Sequence, residues 1–131
     1  MATLLTGGRP RSLAVNWEQC PQSGVWCSLA TLNLDHAHFN GLEGVYVIWR
    51  AIDRKTVRVG QGIIADRLRA HRSDRGILVH DGGGRLLVTW ARLSANYRDG
   101  VERYLATALT PIVGSAFPDV VAIQVNLPGQ S

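Results

Sequence analysis

Between positions 44 and 72 the apolar pattern changes period once, and that change leaves few folds open. Gly44-Val45-Tyr46-Val47-Ile48-Trp49 is a run of β-branched and aromatic residues, and Thr56-Val57-Arg58-Val59 alternates apolar with polar. The residues between them, 50–55, are few and charged, which suits a hairpin loop. An antiparallel pair is therefore expected. After Gly60-Gln61-Gly62 the period rises to about 3.6, with Ile64, Leu68 and His71 on one stripe and Asp66, Arg69 and Arg72 facing away. A helix should begin near Ile63.

The remaining segments extend this unit. Residues 74–84 contain Gly76, Gly82, Gly83 and Gly84 and should end the helix, and residues 85–91 read as a third strand. From Asp99, a suitable N-cap, Val101, Leu105 and Ala108 recur at helical spacing until Pro111 stops the pattern. A short final strand is expected within 120–125. The sum is an α/β (α+β) domain over 41–131, a small three-stranded antiparallel sheet flanked by helices. Residues 1–40, punctuated by Gly7, Gly8, Pro10, Pro21 and Gly24, are expected to form a partly ordered N-terminal arm in which only 25–34 looks strand-like.

Composition narrows the function classes. A chain of 131 residues fits one domain with its own core. It shows no signal-peptide pattern at its N-terminus and no run of the ~20 apolar residues that a membrane span needs. A soluble, cytoplasmic protein with no membrane partner is expected, with Cys20 and Cys27 as reduced thiols. The formal charge is +4, but residues 50–103 hold twelve Arg and Lys against six acids. Thirteen of the fourteen basic residues are Arg, whose planar fork can hold a phosphate bidentately. Such a patch favours a polyanion through counterion release, although a solvated arginine-rich surface gives the same composition.

Gly44-Val45-Tyr46, a short loop, Val59-Gly60, a helix carrying Arg67-Leu68 and His71, and Glu102 on a later helix together resemble the GIY-YIG nucleases over residues 41–114. The resemblance implies a metal-dependent endonuclease that hydrolyses phosphodiester bonds. It places Tyr46 at the first-motif tyrosine that assists proton removal from water, and Glu102 at the glutamate that binds Mg²⁺ or Mn²⁺. Arg67 would stabilise the pentavalent phosphate, with His71 one turn on. The second motif departs from the family: Arg58 stands in Arg58-Val59-Gly60 where a tyrosine is usual, and a guanidinium accepts no proton. The family's Pro-x-x-Asn is also absent, since Pro111 is followed by Gly114, and Asn126 is the available substitute.

Phosphodiester hydrolysis needs an activated water, neutralisation of developing charge and help for the leaving oxygen. Tyr46, Arg58, Arg67 and His71 are therefore the expected catalytic groups and Glu102 the metal ligand. Lys55, Arg69 and Arg72 are expected to contact a nucleic acid, DNA rather than RNA, with a homodimer or a partner protein supplying specificity. The alternative is a degenerate domain that binds nucleic acid or protein without cutting. Each residue also has a plainer role: a strand tyrosine with its ring in the core, a first-turn acid on a helix dipole, a packed helix histidine. Cys20, Cys27, His36 and His38 lack a usual zinc spacing. Gly82-Gly83-Gly84 precedes a strand and reads as a loop. Trp17, Trp26, Trp49 and Trp90 are candidates for stacking on bases, although Trp49 and Trp90 fall in strands.

Overall fold

The computed structural model describes residues 12–20, 25–114 and 116–129. It shows a mixed α+β fold whose elements, in chain order, are β1 (Ser12–Leu13), β2 (Cys27–Ser28), a 3-10 turn (Ala37–Phe39), β3 (Glu43–Arg50), β4 (Thr56–Ile63), α1 (Ile64–Arg72), α2 (Arg75–Leu78), β5 (Leu86–Arg92), α3 (Ala95–Leu109) and β6 (Gln124–Val125). The main sheet is antiparallel in the order β2-β5-β3-β4, and β1 pairs with β6 in parallel. No helix among the described residues is long and apolar enough to cross a membrane.

β3 is the centre of the molecule. It pairs with β4 on one side and β5 on the other, so its run of Val45, Tyr46, Val47 and Ile48 is buried on both faces. Strand alternation then sorts two cores. Tyr46 and Ile48 pack with Ile64 and Leu68 of α1, Ile77 of α2 and Leu29, Leu34, Phe39 and Leu42 from the preceding segment. Val45 and Val47 face the other way, with Val59, Val101 and Leu105 of α3, and Ile123 and Val125. The helices thus lie on opposite faces of the sheet. Tyr46 and Val59 sit on neighbouring antiparallel strands, as the hairpin pattern implies.

The observed elements differ from the expected ones in three places. The sheet has four strands: Cys27 and Ser28 pair with Val88 and Leu87 of β5. Cys27, Leu29, Leu34 and Phe39, all before residue 41, are core residues. Gly and Pro punctuation obscured this, since those residues interrupt the period without preventing single side chains from reaching the core. The first eleven residues of the expected arm lie outside the described residues. α3 begins at Ala95 after Ser94, a turn earlier than Asp99, with Tyr97 packed on the second core while Asn96, Arg98 and Gly100 dilute the apolar stripe. Finally, Cys20 and Cys27 are joined in a disulfide, with Cα atoms 5.2 Å apart, rather than standing as free thiols. Cys20 N–H also donates to the Val25 carbonyl, so the bridge closes a loop that the backbone already draws together.

Two further features hold the sheet's rim. Glu18 N–H donates to the Trp90 carbonyl and the Thr89 hydroxyl donates to the Glu18 carbonyl, which extends the cover that β2 gives to the outer edge of β5. At the other edge, Ile112 and Val113 donate to the carbonyls of Thr56 and Val57, covering the start of β4. Closing a loop of this size removes about 2–3 kcal/mol of unfolded-state entropy. Reduction by dithiothreitol, or Cys20→Ala, should therefore lower stability to urea by up to that amount. Thiol titration of the denatured, unreduced protein should find neither cysteine free.

Candidate functional site

The site is set by what β4 lacks. Tyr46 lies opposite Gly60, and a Cβ at Gly60 would come within 2.2 Å of the Tyr46 hydroxyl. Glycine therefore leaves the space that the phenol occupies. The Tyr46 ring is fully buried, and its Oη is 2.5 Å from Nε2 of His71, one turn beyond Arg67 on α1. The two rings are tilted at 51° with centroids 5.3 Å apart. Burial, with the charges of Arg58 and Arg67 second and third, pulls His71 down to a pKa of about 4. It is thus a neutral imidazole at pH 7, and with its proton on Nδ1 it accepts from the phenol.

Arg58 and Arg67 connect this pair to a second one. Both charges also act on Glu102, so the same two guanidinium groups favour the neutral histidine and the ionised carboxylate. Arg58 follows from register, being opposite Ile48 on the Tyr46 face of the sheet. Its Nε is buried with no hydrogen-bond partner among the described residues, and its Nη1 would lie 2.9 Å from a Cβ at Gly114, whose φ of +103° suits glycine. Arg67 is exposed and lays its stem beside Gly62, its Cγ and Cδ each 3.4 Å from where a Cβ would stand.

Glu102 approaches from the other face. It is buried on α3, and loss of solvent raises its pKa more than the donated hydrogen bond from Gln61 and the charge of Arg58 lower it. Gln61 Nε2 donates to Glu102 Oε1 at 2.8 Å and to Asp99 Oδ1 at 2.6 Å, so one amide spans two carboxylates a helical turn apart. The sequence offers Asp99 only as an N-cap and gives Gln61 no role. The available signal was parity: Gln61 is one residue past Gly60, so its side chain must leave the Tyr46 face and meet α3. Among the described residues no three His, Cys, Asp or Glu side chains form a group able to hold a metal by themselves.

The structure brings Tyr46, His71, Arg58, Arg67 and Glu102 around the β3–β4 pair. The other residues lie elsewhere. Lys55 is exposed in the hairpin loop at the far end of β4. Arg72 donates to the carbonyls of Leu29 and Leu32, and Arg69 to Asp35 and the Leu34 carbonyl, so both guanidinium groups bind the 29–35 segment to α1. Asn126 exchanges two hydrogen bonds with the backbone of Val15 and stands on the β1–β6 side. Comparison with family models, curated proteins and solved structures yields no match for this chain.

A buried histidine held at about 4 makes stability pH-dependent. Its folded pKa lies below the unfolded value of 6.5, so its contribution is present above 6.5 and is lost as pH falls toward 4. Glu102, shifted upward, acts in the opposite sense in the same acidic range. Urea titrations from pH 7 to pH 4 should show wild type losing more stability than His71→Asn. Equal slopes would mean that His71 does not titrate across this window. Gly60→Ala should destabilise by about 1–3 kcal/mol at pH 7, because the added methyl must displace the phenol from His71.

Proposed function

We propose that this domain binds nucleic acid and hydrolyses its phosphodiester backbone with the help of a divalent cation, as a divergent relative of the GIY-YIG nucleases. The observation that carries the reading is the gathering of Tyr46, His71, Arg58, Arg67 and Glu102 around the β3–β4 pair, from four elements and both faces. The strand order, with β3 between β4 and β5 and helices on either side, supports the same resemblance. Two guanidinium groups beside a buried carboxylate suit a phosphate better than any neutral ligand.

The residues can be given roles without further machinery. Arg67, exposed at the rim of the site, grips a non-bridging phosphate oxygen and stabilises charge as it develops. Tyr46 passes its hydroxyl proton to the neutral His71 Nε2 as it takes one from the attacking water, so the phenol need not ionise beforehand. Arg58 adds fixed positive charge in place of a second tyrosine. Mg²⁺ or Mn²⁺ fits the donor set: Glu102 is a desolvated hard-oxygen ligand with Asp99 close by, and water and phosphate would complete the shell. When bound, the ion would supply charge neutralisation at the phosphate.

A second reading, binding without cutting, is favoured by the complete burial of Tyr46 and by Arg58 in the second motif. The assay that separates them is cleavage of a labelled DNA duplex and single strand, with RNA equivalents, in Mg²⁺ and Mn²⁺. Binding is measured alongside at two salt concentrations. Glu102→Gln should abolish metal-dependent cleavage and leave binding intact. Arg67→Ala should cost about 3 kcal/mol in turnover, on the scale of one lost oxyanion donor. Tyr46→Phe should keep the fold and lose turnover. Salt-sensitive binding with no cleavage would establish the second reading, and cleavage that survives Glu102→Gln would overturn the mechanism.

A further inference from the structure

At the opposite end of β4 from Glu102, the α3 face of the sheet opens into a cleft of about 250 Å³. Trp26 and Trp49 line it, with ring centroids 5.3 Å apart and planes at 83°, and Val47 and Leu109 contribute to its apolar wall. Arg54 and Thr56 provide the polar lining. The size is below that of most drug-like ligand sites and suits one planar ring system. The aromatic pair offers a face to a ring and an edge to its side.

Arg54 is the informative residue. It holds φ at 62°, the left-handed conformation that a hairpin turn of this kind ordinarily gives to glycine or asparagine. Its amide donates to the Arg50 carbonyl, so the turn needs that conformation but not that side chain. Arginine here costs the fold something that glycine would not. The neighbouring Asp53 is paired with Arg50, which reaches it through both Nε and Nη2. An aromatic wall with a cation at its rim suits a nucleotide, with the base against the tryptophan pair and the phosphate on the guanidinium.

We propose that this cleft is a stacking site for one unpaired nucleotide of a single strand, and that it gives the domain a preference for single-stranded over duplex nucleic acid. The proposal rests on the nucleic-acid reading of the Tyr46 edge. Thr56 and Gln61 are five residue steps apart on β4, about 17 Å along the strand, so a single strand long enough to span that distance would reach both sites. A base within a duplex is stacked on both faces and cannot enter.

The test uses a fluorescein-labelled 12-mer of thymidine and a hairpin duplex of matched length. It measures anisotropy and tryptophan quenching for wild type, Arg54→Gly, Trp26→Ala and Arg67→Ala, with thermal unfolding of each. Wild type should bind the single strand more tightly and with quenching. Trp26→Ala should weaken single-strand binding at least about fivefold and leave duplex binding unchanged. Arg54→Gly should weaken single-strand binding while its melting temperature stays level or rises. That pairing of opposite signs is one a merely structural residue would not give. If wild type binds duplex and single strand equally and only Arg67→Ala weakens them, the cleft proposal fails and the nucleic-acid reading stands. If wild type binds neither, both fail. Quenching by free thymidine monophosphate as strong as by the 12-mer would overturn the strand assignment in favour of a mononucleotide site.

Discussion

The contact between the Tyr46 hydroxyl and the backbone of Gly60 is the constraint on which the rest of the site depends. β3 is covered on both faces, so a tyrosine at its centre has nowhere to put its polar end unless the neighbouring strand yields space. Gly60 yields it, and His71 supplies the partner that a buried hydroxyl requires. The demand propagates: α1 must begin at once after β4 to bring His71 into reach. It does so from Ile64, whose amide donates to the Leu42 carbonyl just before β3 begins. One missing side chain therefore fixes the register of the hairpin, the start of the helix and the burial of the imidazole.

The same arrangement explains why two charged elements approach an otherwise apolar edge. Burial is the main cause that keeps the His71 ring neutral and holds the Glu102 carboxyl above its ordinary range. Arg58 and Arg67 make the first easier to keep uncharged and the second easier to ionise, so one pair of cations serves both groups in opposite senses. Gln61 steadies the carboxylate from the strand side and ties it to Asp99.

Much of this was legible in the sequence because it is local. The period change at residues 60–63 gave the hairpin and α1, and the i, i+4 spacing of Arg67 and His71 placed both on the helix that crosses Tyr46. What was hidden depends on distant partners. Cys27 and Ser28 form a strand only because β5 offers an unpaired edge, and two residues carry no period to detect. The disulfide needs the loop geometry of 20–27, and sequence spacing alone could not supply it. Arg69 and Arg72 looked like free cations on an outer helix face, yet they answer the carbonyls of an irregular segment that periodicity could not position. Asn126 acts as a strand residue made of side chain, a role visible only once Val15 is beside it.

That last contact gives the two ends of the described chain an unusual mechanical relation. Ser12 and Leu13 run parallel to Gln124 and Val125, and Val15 and Trp17 continue the contact through the side chain and carbonyl of Asn126. Because the strands are parallel, tension applied from before β1 and after β6 slides them past each other and loads every bond of the patch together. Antiparallel ends would instead open one bond at a time. The terminal patch is small, but under a pull along the chain it acts as a clasp, shielding α3 and the second core behind it until the whole clasp gives.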